Sequence, residues 1–64
     1  MRWVDTYTLA IELEKKHKDI DILALRFTDL KRYILALEGF NDDPEKSNEK
    51  ILEAIQMAWL DERD

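Results

Sequence analysis

Thr28-Asp29-Leu30-Lys31-Arg32-Tyr33-Ile34-Leu35-Ala36-Leu37-Glu38-Gly39 is the stretch that decides the fold. Leu30, Tyr33, Ile34 and Leu37 recur at i, i+3, i+4 and i+7, the rhythm of an amphipathic helix with one buried face. Thr28 is suited to cap the first turn, and Asp29 to sit at the positive end of the helix dipole. Gly39, the one glycine in the chain, is best able to adopt the left-handed conformation that closes a helix.

Upstream, Asp19-Ile20-Asp21-Ile22-Leu23-Ala24-Leu25-Arg26-Phe27 begins with polar and apolar residues in alternation. It reads as irregular, with a short strand as the alternative. Before it, Thr6 to His17 carries a second helical pattern. Asp5 is placed to cap it, and Val4 and Leu9 fall at hydrophobic-staple positions. Tyr7, Ala10, Ile11 and Glu14 line one side, with Leu9 and Leu13 on the adjoining one, which predicts a broad buried stripe. Lys15, Lys16, His17 and Lys18 suit the negative end of the dipole.

Downstream, Phe40 and the acidic turn Asn41-Asp42-Asp43 lead into Pro44. A proline behind an Asp cap signals a helix start, and Ser47 offers a second start one turn later. Ile51, Leu52, Ile55, Ala58 and Trp59 then make a third helical stripe. Residues 1–64 therefore predict a single all-α domain of three helices. A unit of this size, with a very short strand pair in the middle segment as a variation, fits the helix-turn-helix and modified winged-helix families. Trp3 and Trp59 are expected in or at the edge of its core.

With 64 residues the chain makes one small domain with a thin core, and its 45% hydrophobic content must stabilise it without disulfides, because it has no cysteine. No run approaches the ~18 apolar residues that cross a bilayer. Met1-Arg2-Trp3-Val4-Asp5 lacks the apolar stretch of a secretory signal, so the expected location is the cytoplasm. Fifteen acids against ten bases give a net charge of −5. That sign repels phosphate backbones and favours a basic protein surface or a cation. Lack of cysteine also rules out thiolate-held clusters, persulfide carriage and thiol redox chemistry.

Catalysis finds little support. His17 is the only histidine, so neither a serine triad nor a zinc site of the usual types can be assembled. A surface position at a helix C-terminus is the expected place for it. Paired carboxylates need a pocket that raises one pKa, which a bundle of this size rarely builds. The expectation is a protein that is not an enzyme.

Asp42, Asp43, Glu45, Glu49 and Glu53 form the densest acidic run. Glu45, Glu49 and Glu53 would share a helix face, at a repulsive cost of about 0.2–0.5 kcal/mol per pair. Lys46 and Lys50 offset part of it. One reading is a capped, solvated helix start. The other is a site for a cation or basic partner, with Asp42, Asp43, Glu45 and Glu49 as weak surface ligands. The oxygen spacing and glycine of an EF-hand are missing, so exposed carboxylates plus water would hold hard or borderline divalent ions only weakly. Asp61, Glu62 and Asp64 lie at the negative end of the third helix, against its dipole by about 0.3–1 kcal/mol per well-placed group.

Phe40-Asn41-Asp42-Asp43-Pro44, Ser47-Asn48-Glu49-Lys50-Ile51-Leu52-Glu53-Ala54-Ile55 and Trp59-Leu60-Asp61-Glu62 closely resemble the signature of the IscX (YfhJ) family, small bacterial proteins of iron–sulfur cluster assembly. Arg26-Phe27-Thr28-Asp29-Leu30 and Trp3-Val4-Asp5 resemble that family's other blocks, so the resemblance spans essentially the whole chain. It implies a modified winged-helix or three-helix fold. It also implies an adaptor that binds the cysteine desulfurase of the system, in competition or concert with bacterial frataxin, and that binds ferrous iron through surface acids with no tightly held cofactor. On this chain the acids in matching blocks are Asp29, Asp42, Asp43, Glu49, Glu53, Asp61 and Glu62, and Arg26 lies in a matching block too. Asn41 departs from the family, where that position is often an acid.

Three functions compete at this point: an acidic, monomeric adaptor for the desulfurase, a stand-alone iron donor, and a helix-turn-helix nucleic-acid binder. The third is opposed by the net charge and by a second helix whose interior offers only Lys31 and Arg32.

Overall fold

The computed structural model describes residues 1–64 and contains three α-helices: α1, Thr6–Lys16; α2, Phe27–Leu35; and α3, Glu49–Arg63. Two 3-10 turns, Ile22–Ala24 and Pro44–Lys46, lie in the connections. The all-α, three-helix expectation holds. No strand forms, so the optional strand pair is absent. Ile22 explains why: it is buried in the core, and the 3-10 turn around it brings that single side chain inward where an extended segment would expose alternate residues.

The buried face of α1 is narrower than the periodicity predicts. Leu9, Ala10 and Leu13 are buried, whereas Tyr7 and Ile11 face solvent. Asp5 occupies the cap position, yet its carboxylate accepts the Arg2 amide at 2.8 Å in a tight turn and makes no bond to the helix. Val4 is 71% exposed, so no staple to Leu9 exists.

In α2 the cap position is Arg26, two residues before Thr28, and Thr28 lies within the first turn. Leu30 and Ile34 are buried, and Leu37 joins them from beyond the helix end. Gly39 does adopt positive φ, at +88°, but in the turn after the helix, closed by the Phe40 amide on the Leu37 carbonyl at 3.2 Å. A side chain there would find room, with Met1 Cε as nearest neighbour at 3.9 Å, so the constraint is the backbone angle.

Neither expected start opens α3. Asp43 and Pro44 begin the separate 3-10 turn, Ser47 is extended, and the cap is Asn48, whose Oδ1 accepts the Ile51 amide at 2.9 Å. Glu45 consequently lies outside α3, and only Glu49 and Glu53 share its first turns.

Twelve buried residues form one hydrophobic core, and none of them is polar. Both tryptophans belong to it, as expected. The dominant packing is α1 on α3, with α2 and the Ile22 turn closing the remaining sides. Leu13 is fully buried in that contact. We predict that Leu13→Ala costs about 2–5 kcal/mol, against on the order of 3–10 kcal/mol for a whole domain of this length. Leu23→Ala, at a residue 71% exposed, should change stability by less than about 0.5 kcal/mol. Urea unfolding followed by circular dichroism tests the contrast, and equal losses would contradict this description of the core.

Candidate functional site

The acidic turn and the N-terminus are bound to one another. Trp3 is buried, and its amide must find an acceptor because an unpaired buried N–H is costly. Asp42 Oδ2 accepts it at 3.0 Å, and the indole Nε1–H donates to the Asp43 carbonyl at 2.7 Å. Phe40 packs edge-to-face on the Trp3 ring, with centroids 4.8 Å apart. The terminal ammonium of Met1 donates to the Gly39 carbonyl at 2.6 Å and to Asn41 Oδ1 at 3.3 Å. The Asn41 amide returns a bond to the Met1 carbonyl at 2.9 Å.

Within the turn, Asp42 Oδ1 accepts the Asp43 amide at 2.7 Å and Asp43 Oδ1 accepts the Glu45 amide at 2.9 Å. The Trp3 and Asp43 N–H groups hold the Asp42 carboxyl below the usual carboxylate range, against a smaller opposing effect of burial. Asp42 and Asp43 are therefore already engaged in holding the chain's first residues.

The other sequence-marked residues are dispersed. Glu45, Glu49, Glu53, Asp61 and Glu62 are exposed. Glu49 and Glu53 stand one turn apart on α3, and Asp61 and Glu62 lie about 12 Å further along its axis. Asp29 lies in the first turn of α2, with Arg26 at the cap position before it, and Asp29 pairs with Arg32 at 3.8 Å on the surface. No group of three or more His, Asp or Glu side chains converges as metal ligands.

A second polar centre was not anticipated from sequence. Glu14 Oε1 accepts the Trp59 indole N–H at 2.9 Å and Arg63 Nε at 3.0 Å, with Arg63 Nη2 also 2.9 Å away. The same guanidinium donates to the His17 carbonyl at 2.8 Å and to the Ile20 carbonyl, so it caps the end of α1 from the end of α3. It also lies 5.7 Å from the centre of the Trp59 ring. His17, expected on the surface, is half-buried and stacks on Tyr33 with centroids 4.4 Å apart. The signal was present in the sequence: Glu14 falls on an apolar stripe, and a carboxylate there requires donors. The Trp59 hydrogen bond, then that of Arg63, lowers the Glu14 pKa, again against burial.

Both carboxyls are thus more acidic folded than unfolded. Their stabilising contribution is complete above their ordinary values, 4.5 for Glu14 and 3.8 for Asp42, and is lost as pH falls through the lower folded values. Stability should be flat from neutrality to about pH 5 with respect to these groups and decline in more acid solution. Asp42→Asn should be less stable than the parent at pH 7, and the gap should narrow toward pH 3. Urea midpoints measured across that range check it, and a gap independent of pH would contradict the assigned role.

A family model described as iron-sulphur cluster assembly matches residues 1–64. The chain is also 44% identical over 64 residues to "Uncharacterized protein PA3808" of Pseudomonas aeruginosa, an alignment that covers 100% of this chain and 97% of that protein. The match runs through both the acidic turn that anchors Trp3 and the outward acids of α3, and the chain belongs to the IscX (YfhJ) family of iron–sulphur cluster assembly proteins.

Proposed function

We propose that this chain is a non-catalytic, acidic adaptor of the iron–sulphur assembly machinery that binds the system's cysteine desulfurase through the outer face of α3. The observation that carries the proposal is the division among the acids. Glu62 is exposed on another side of α3, while Glu49, Glu53 and Asp61 share its outer side, are exposed and have no hydrogen-bond or ion-pair partner within the chain, in a protein of net charge −5. Such a face attracts a basic patch and speeds encounter with it. The family resemblance implies the desulfurase as partner, and the absence of cysteine leaves a regulator's part rather than that of a sulfur carrier or thiolate scaffold. On this reading the protein acts as a cytoplasmic monomer and competes with bacterial frataxin for the same basic surface.

Ferrous iron enters the proposal as a weakly held ion. Glu45 and Glu49, with the unused oxygen capacity of Asp42 and Asp43, would attract it together with its water. Carboxylates of this kind suit hard and borderline cations without forming a closed cage.

Calorimetric titration against the desulfurase of the same organism at low and moderate salt tests the proposal. Joint reversal of Glu49, Glu53 and Asp61 to lysine should weaken binding at low salt by at least about tenfold and flatten its salt dependence. Unchanged affinity in that triple variant would sink the proposal.

A further inference from the structure

An open groove of about 310 Å³ runs between α1 and α3, lined by Thr6, Tyr7, Ala54, Met57, Ala58 and Asp61. Its shape follows from side-chain size. Ala54 and Ala58 stand one turn apart on α3 and leave a notch. Tyr7 and Met57 rise at its edges, 76% and 52% exposed. Ile11, one turn beyond Tyr7 and also exposed, extends the apolar wall along α1. Tyrosine and methionine are the residue types enriched where proteins meet.

The groove is too open and too sparsely lined to enclose a small molecule, since ligand pockets bury most of their guest. It has room for one or two side chains. Its charge narrows the occupant further. Asp61 lines the groove itself, Glu53 lies one turn before Met57, and both are exposed. Of the two cations on α3, Arg63 is held by Glu14 and Lys50 lies a turn before Ala54. A second copy of the chain would bring like charges together in a protein already at −5.

We propose that this groove is a docking site for a basic amphipathic protein segment: an apolar side chain seats between Tyr7 and Met57, and an adjacent lysine or arginine meets Asp61. Steering by exposed acids raises the association rate, while a desolvated anchor sets how long the complex lasts. The inference deepens the adaptor reading and takes from it only the sign of the partner's charge.

The test is fluorescence anisotropy with two labelled synthetic peptides of equal charge, one an amphipathic leucine–lysine helix and the other its leucine-to-serine counterpart. The full-length chain should bind the first at least about tenfold more tightly. Tyr7→Ala and Met57→Ser should each remove most of that preference while leaving the serine peptide unaffected; both positions are exposed, so the fold should survive. Equal binding of the two peptides, or a preference that persists in both variants, overturns the proposal.

A surface-binding assay with the desulfurase separates this inference from the one beneath it. Faster release of Tyr7→Ala at an unchanged association rate supports the groove. Identical kinetics for Tyr7→Ala and the parent overturn the groove and leave the acidic adaptor standing. No binding by the parent removes the desulfurase reading, and the peptide pair then decides the groove alone.

Discussion

The carboxylate of Glu14 receives the Trp59 indole N–H and the Arg63 guanidinium, and so joins the C-terminal ends of α1 and α3. Trp59 and Arg63 are one turn apart on α3. Holding both against α1 fixes the rotation of α3 about its own axis. Once Trp59 points inward with Ile55 and Leu52, residues on the opposite side have no choice but to face water. Glu53, Met57 and Asp61 are on that side. The proposed docking surface is thus a consequence of a polar contact at the edge of the core, even though apolar burial supplies most of the stability. Arg63 adds closure by binding the carbonyls of His17 and Ile20, where α1 ends and the chain turns away.

At the other side of the domain, the acidic turn performs a different task. A run of carboxylates in sequence looks like a single charged feature, but here its members have separate uses. Asp42 and Asp43 satisfy the buried Trp3, one another and the next turn. Asn41 accepts a hydrogen bond from the terminal ammonium through its amide oxygen, where a carboxylate would make a stronger, charge-assisted one. Glu49 and Glu53 continue outward on α3. A carboxylate already accepting two backbone N–H groups has less capacity left for an ion or a partner. This division directs attention away from the most conspicuous acids toward the quieter ones downstream.

The helices and the burial of both tryptophans were legible in the 3.6-residue rhythm, because that rhythm records which residues avoid water. Helix ends were less legible. Asp43, Ser47 and Asn48 all have cap chemistry, and only the three-dimensional path of the chain selects Asn48 for α3. The same applies to Tyr7 and Ile11: their spacing is compatible with burial, yet both are exposed, and Tyr7 borders the open groove beside α3. The 3-10 turn at Ile22 depends on a single buried side chain, too short a signal for periodicity to register. Of the candidate acids, sequence gave type and spacing, while their internal partners come from contacts some forty residues apart, such as Trp3 with Asp42. The partner class, by contrast, was approached through charge sign and family resemblance, since no side-chain constellation in a cysteine-free bundle specifies a reaction.

On the adaptor reading, the outward face of α3 meets the partner while the acidic turn holds the fold together. The two indole N–H groups provide internal reporters, because Trp3 senses Asp43 and Trp59 senses Glu14. The most direct measurement is an amide and indole NMR map of the isotope-labelled chain, recorded as unlabelled cysteine desulfurase is added. Resonances of Glu49, Glu53, Met57 and Asp61 should shift or broaden first while both indole signals stay in place. Early movement of the Trp3 indole and the amides of residues 42–45, with α3 unaffected, would contradict it.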